Sequence, residues 1–179
     1  MKKVQWLIVG AIILSSFLIG WSGKCHHEIK LLHRQVSLLE TALAPTAPRL
    51  AANNWAEAVK TRNGAWQYAL LSPGLKEKYR SEFESLNWVT GASSPWVKNY
   101  DVKRLTADTT ENIKYEIKFN WYTAQGYFGT STAELWLAVQ GKGENRTWYI
   151  RQIKYNKEKM DKSTIAAIPD NVHRFTCRP

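Results

Sequence analysis

The stretch Asn112-Ile113-Lys114-Tyr115-Glu116-Ile117-Lys118-Phe119-Asn120-Trp121-Tyr122 alternates without a break. Ile113, Tyr115, Ile117, Phe119 and Trp121 fall on one face, and Lys114, Glu116, Lys118 and Asn120 fall on the other. A sustained period of two marks a β-strand with one side on a core and the other in water. Downstream, Gln125-Gly126 is a turn signal, and Thr130 to Gln140 repeats the alternation with Ala133, Leu135, Leu137 and Val139. Gly141-Lys142-Gly143-Glu144-Asn145 turns the chain again, and Thr147 to Tyr155 closes the set with Trp148 and Ile150. Upstream, Trp96 to Leu105 reads as a further strand, with Tyr100 and Val102 its only clean alternating pair, ended by a turn at Asp108-Thr109-Thr110. Connections this short make the strands an antiparallel meander.

Before the strands the period is helical. Residues 49 to 62 set Leu50, Trp55, Ala58 and Val59 near one face, and Asn63-Gly64 offers a residue suited to positive φ at the helix end. Ala65 to Leu71 is a short second helix. Ser72-Pro73 opens a third, with Ser72 as N-cap and Pro73 at the first helical position; Leu75, Tyr79, Phe83 and Leu86 form its apolar stripe. Asn87 to Ser94 is a loop. The expected class is α+β, a cone of three helices packed on one face of a curved antiparallel sheet over residues 49–157.

This order of elements resembles the nuclear transport factor 2-like (cystatin-like cone) superfamily. Three stretches carry the likeness: Asn54-Trp55-Ala56-Glu57-Ala58-Val59-Lys60-Thr61-Arg62-Asn63-Gly64, Tyr68-Ala69-Leu70-Leu71-Ser72-Pro73, and Trp88-Val89-Thr90-Gly91-Ala92-Ser93-Ser94-Pro95-Trp96-Val97. They are similar to uncharacterised, membrane-anchored extracytoplasmic domains of Gram-positive bacteria, some fused to sensor peptidases. The peptidase's H-E-x-x-H zinc motif does not occur in this sequence, so that activity is not implied. Enzymes, transport adaptors and secretion scaffolds share the superfamily, so the resemblance implies a fold and leaves the function open.

At the N-terminus Lys2 and Lys3 precede an apolar run from Val4 to Trp21, which spans about 27 Å as a helix, close to a bilayer core. Residues 1–22 therefore read as a transmembrane signal anchor, with Trp6 and Trp21 at headgroup level. Gly20-Trp21-Ser22-Gly23-Lys24 fits a cleavage site poorly, and Lys24 sits badly before a lipidated Cys25. The expected topology is single-pass in the cell membrane with the C-terminal domain extracytoplasmic.

Residues 23–44 continue as a helical stalk in which Cys25, Ile29, Leu32, Val36, Leu39 and Leu43 are spaced four, three, four, three and four. That is a heptad seam, read either as a short homodimeric coiled coil or as an amphipathic helix docked on its own domain. Cys25 has three fates: an interchain disulfide, a pair with Cys177, or a free thiol. His26, His27 and His33 lie on several faces and gather no metal ligand set. Ala44 closes the stalk, and Pro45 to Pro48 form a proline hinge. Residues 158–179 are a tail of no clear period, with Ile165 to Ile168 as a short docking segment.

The chain's 179 residues include 44% hydrophobic and nine Trp, which excludes a disordered chain, and its two Cys exclude a disulfide scaffold. No histidine lies between 34 and 172, and alternation aims no carboxylate inward from the two best strands; Asp101 and Glu134 fall on the outer faces. General acid–base work lacks its usual groups, so the expectation is a protein without catalytic residues, metal or cofactor. One alternative is a sensor or carrier of an apolar or peptide-like ligand, its cavity lined by Tyr68, Trp88, Trp96, Tyr115, Trp121 and Trp148. The net charge is +10, and residues 46–157 hold sixteen basic and ten acidic side chains. That surplus suits anionic headgroups or cell-wall polymers; the basic residues are too dispersed for nucleic acid. The expected partners are the membrane, a second copy through the stalk, and a membrane or cell-wall protein.

Overall fold

A computed structural model describes residues 26–91, 93–109, 112–141, 143 and 146–156. Helix α1 covers residues 26–43. It is followed by α2 (Pro48–Lys60), α3 (Gly64–Ala69), α4 (Pro73–Ser85), β1 (Trp96–Thr109), β2 (Asn112–Thr123), β3 (Gly126–Gln140) and β4 (Thr147–Asn156). The class is α+β, and the four strands are antiparallel in the order β1-β2-β3-β4. The chain divides into two compact units between Leu43 and Ala44. The anchor segment, the tail, Cys25 and Cys177 lie outside the described residues. Among the described residues no helix is long and apolar enough to cross a membrane.

The alternation of β2 is realised residue by residue. Ile113, Tyr115, Ile117, Phe119 and Trp121 are buried, and they meet Leu137, Leu135, Ala133, Ser131 and Gly129 across the β2–β3 ladder. Helix α2 lays Ala51, Ala52, Trp55, Ala56, Ala58 and Val59 into the core, with Trp55 fully enclosed. Its ring packs against Phe119 at 6.0 Å and Tyr155 at 6.2 Å between centroids. The alanines flanking Trp55 let the helix lie close to the sheet, because only small side chains fit under a close-packed backbone.

Four local readings are corrected. Gly64 is not the positive-φ residue after α2; Arg62 is, at φ 58. The Arg62 N–H donates to the Val59 carbonyl at 3.0 Å and the Asn63 N–H to the Ala58 carbonyl at 2.9 Å, a Schellman closure without glycine. Asn63 then caps α3 through Oδ1, which accepts from the Trp66 N–H at 2.9 Å. Gly64 is needed instead for a close approach, since its N–H donates to the Trp88 carbonyl at 2.8 Å.

Ser72 occupies the N-cap of α4, but its side chain makes no cap bond. Its backbone N–H is committed to the Ile150 carbonyl at 2.9 Å, and the Ile150 N–H to the Leu70 carbonyl at 2.9 Å, so Leu70 to Ser72 lies along the outer side of β4. The Asp108-Thr109 turn is instead strand, since β1 continues to Thr109. Its alternation is obscured by register shifts at Val97/Asn99 and Arg104/Ala107. In β4, a shift opposite Trp136/Leu137 brings both Ile150 and Ile153 inward at a spacing of three. Pro45 is fully buried and its carbonyl accepts the Trp148 N–H at 2.9 Å, so the first proline of the hinge segment is docked on β4.

Candidate functional site

Tyr68 and Trp88 meet edge to face at 5.2 Å, and both pack on Phe83 of α4, with the Trp88 ring stacked on it at 5.9 Å. Trp88 holds φ 60, a conformation a bulky side chain adopts only when its surroundings impose it. Here the Phe83 stack, the Gly64 bond and the α4 closure (Trp88 N–H to the Phe83 carbonyl, 2.9 Å) impose it. Tyr115 and Trp121 are buried on the inner face of β2, and Trp148 is buried opposite Val139. Trp96 is 36% exposed at the start of β1. Tyr68, Tyr115, Trp121 and Trp148 belong to one buried core with Trp88 packed against it, and among the described ring contacts only Tyr68–Trp88 joins two of the six.

Trp121 has its polar atom matched inside the core: Nε1 donates to Ser131 Oγ at 2.8 Å, with both groups buried. Ser131 stands two residues before Ala133 on the same inward alternation; its polarity hid it from a hydrophobic reading. Ser131→Ala should cost about 1–3 kcal/mol by stranding the indole N–H, read as a lower urea midpoint with unchanged slope.

Gln67 was likewise unforeseen. It is fully buried on α3 and donates through Nε2 to the Ala58 carbonyl (3.1 Å) and to Thr90 Oγ1 (2.7 Å), tying α2, α3 and the loop before β1 together.

One titratable cluster joins α2 to β1. Glu57 accepts from Lys60 at 3.2 Å, and Lys60 Nζ lies 5.9 Å from the Tyr100 ring centroid. Burial, together with a hydrogen bond to and the charge of Glu57, raises the Tyr100 hydroxyl above its ordinary value. The Tyr100 phenol, held in its protonated form against Glu57, ties helix α2 to strand β1. Lys114 and Glu134 form the comparable tie on the outer face at 2.8 Å.

A cleft of about 220 Å³ lies between α4 and β4, lined by Leu75, Lys78, Tyr79, Arg151, Gln152, Ile153 and Tyr155. It contains none of the six aromatics and is smaller than the pockets that enclose most small ligands. Among the described residues no three His, Cys, Asp or Glu side chains gather as a metal site. Among the described residues, helix α1 carries most of the exposed large hydrophobic side chains: Ile29, Leu32, Val36, Leu39 and Leu43 are 44%, 58%, 53%, 53% and 54% exposed, and Leu31 and Leu38 widen the stripe.

No family profile, characterised protein or solved structure matches the chain.

Proposed function

We propose that this chain is a membrane-anchored, extracytoplasmic, non-enzymatic interaction module that pairs with a second copy through α1. The observation that carries the reading is the exposed stripe on that helix. Five apolar side chains at heptad spacing, each at least 44% exposed, would be held in water by a single copy. A lone helix of this length is marginal in water, so a partner that covers the stripe also stabilises the helix.

The residue types favour a second copy in parallel. With Ile29, Val36 and Leu43 at a and Leu32 and Leu39 at d, β-branched side chains at the first two a positions alternate with leucine at d, the pattern of a two-stranded parallel coil. In that register Glu28 at g faces His33 at e of the partner helix, and like charges are not opposed. Cys25 continues the d series by one step. The seam is under three heptads, and tethering would offset that: two copies anchored by Val4 to Trp21 in one bilayer meet at a high effective concentration. The helix-helix-helix-meander order supports the cone-superfamily reading, and a basic exported domain next to a bilayer supports partners at the cell surface.

Amine-reactive crosslinking of the full chain in intact membranes tests this. A dimer band is expected, reduced about tenfold in Val36→Asp/Leu39→Asp, since two carboxylates in the seam remove well over 1.4 kcal/mol of pairing. A ladder with monomer alone in the unaltered chain would sink the proposal.

A further inference from the structure

Trp96 of β1, Tyr122 of β2 and Tyr127 of β3 occupy one register row across three strands. The row is on the outer face, because the inward neighbours Val97 and Trp121 are the buried ones. The Tyr122 and Tyr127 rings meet edge to face at 5.5 Å, and Lys98 Nζ sits 4.6 Å from the Tyr122 centroid. Trp96 is 36%, Tyr127 60% and the adjacent Phe128 46% exposed. Three aromatic side chains and a lysine thus share the outer face at the end of the sheet marked by the Thr123–Gly126 turn, with exposed Phe128 next to Tyr127 in the chain.

We infer that this aromatic end of the sheet docks on an anionic lipid surface. The charge distribution is the first argument. Neither Asn87 to Tyr100 nor Phe119 to Ala133 contains an Asp or Glu, and Lys98 within them is exposed. Farther along the same face the charges are mixed, with Lys103 opposite Glu116, Lys118 opposite Asp101 and Lys114 bonded to Glu134. Among the described residues of these strands, the aromatic end carries a lysine and no carboxylate, which complements an anionic surface.

Side-chain chemistry is the second argument. Trp and Tyr present an apolar body with a polar tip and favour the headgroup level, Phe supplies apolar depth, and Lys reaches outward to phosphate. A glycan would need convergent polar donors beside the rings, but the amides of Asn99 and Asn120 on the adjoining strands are bonded to each other at 2.7 Å. The inference is independent of α1 pairing, and it concerns where the domain rests once it is near a bilayer.

The test uses the full chain in a Cys25→Ser/Cys177→Ser background. An environment-sensitive fluorophore is placed at Gln125→Cys, in the turn beyond the aromatic row, or at Glu77→Cys, exposed on α4, and the chain is reconstituted into phosphatidylcholine vesicles with or without phosphatidylglycerol. The label at 125 should shift to the blue and lose about half its emission to brominated lipid only when phosphatidylglycerol is present, since each basic side chain near the surface adds to the attraction. The label at 77 should do neither. Trp96→Ser/Tyr127→Ser should abolish the quenching, and Lys98→Glu, which leaves the rings in place, should weaken it. Equal quenching at both positions, indifference to phosphatidylglycerol, or shielding of the 125 label only by added membrane proteins or cell-wall glycan would overturn the inference. Tethering by an anchor alone produces no quenching at 125, so failure here leaves the proposed pairing standing.

Discussion

Trp55→Ala should lower the unfolding free energy of the domain by about 3–5 kcal/mol, the range for emptying a large buried aromatic site. Trp55 has no exposed surface, is flanked by Ala51, Ala52, Ala56 and Ala58, and bridges α2 to Phe119 of β2 and Tyr155 of β4. Four alanines and a helix backbone cannot collapse into the space, so the cavity would persist. Trp55→Phe should cost much less, about 1–2 kcal/mol. The indole N–H has no hydrogen-bond partner among the described residues, so phenylalanine surrenders volume but removes an unmatched polar group. Urea unfolding followed by far-ultraviolet circular dichroism checks both, and equal losses for the two variants would show that the ring's contacts with Phe119 and Tyr155 are not what matters.

Gly64→Ala is the second severe substitution, with an expected loss of about 3 kcal/mol, at the upper end of overpacking costs. A Cβ there would lie 2.7 Å from the Trp88 carbonyl oxygen, 2.9 Å from its carbon and 3.1 Å from Phe83 Cδ1. The first two are backbone atoms, fixed by the bond from the Gly64 N–H, so the crossing between the α2–α3 junction and the loop after α4 must open. Gly74 supplies the control: a Cβ there meets nothing within 4 Å, and Gly74→Ala should leave stability unchanged or raise it by up to about 1 kcal/mol. Matching melting temperatures for the two alanine variants would refute the close-approach argument.

The sequence made legible what is periodic and local. Asn112 to Tyr122 alternates over its whole length, so β2, its buried face and its partner strand could be read directly. Pro73 announced the start of α4, and Trp55 its place in the core. What escaped depends on partners remote in the chain. β1 hides its alternation because Lys98 is an extra residue in a register shift. Ile150 and Ile153 seem out of phase until the shift opposite Trp136 is seen. Arg62 and Asn87 take left-handed closures usually given to glycine, because bonds to Val59 and Glu84 and packing beyond them overrule local preference. Of the six aromatics expected around a cavity, four belong to one packed core and Trp88 packs against it, while Trp96, Tyr122 and Tyr127 share an outer register row that only strand pairing reveals. A side chain's residue type tells what it can pack against, and only the register tells which neighbours it is given.

The way β4 is finished bears on how copies of this molecule can associate. An open four-stranded sheet offers two rows of unspent backbone groups, each an invitation to add strands indefinitely. Here Pro45 and the Leu70 to Ser72 segment take up the backbone groups of Trp148 and Ile150, and the opposite border carries exposed Lys98, Lys103 and Arg104. Both features disfavour strand addition at the borders. If the proposed anchoring and pairing hold, concentrating copies in one bilayer should yield closed pairs through the helix rather than open-ended β-assemblies.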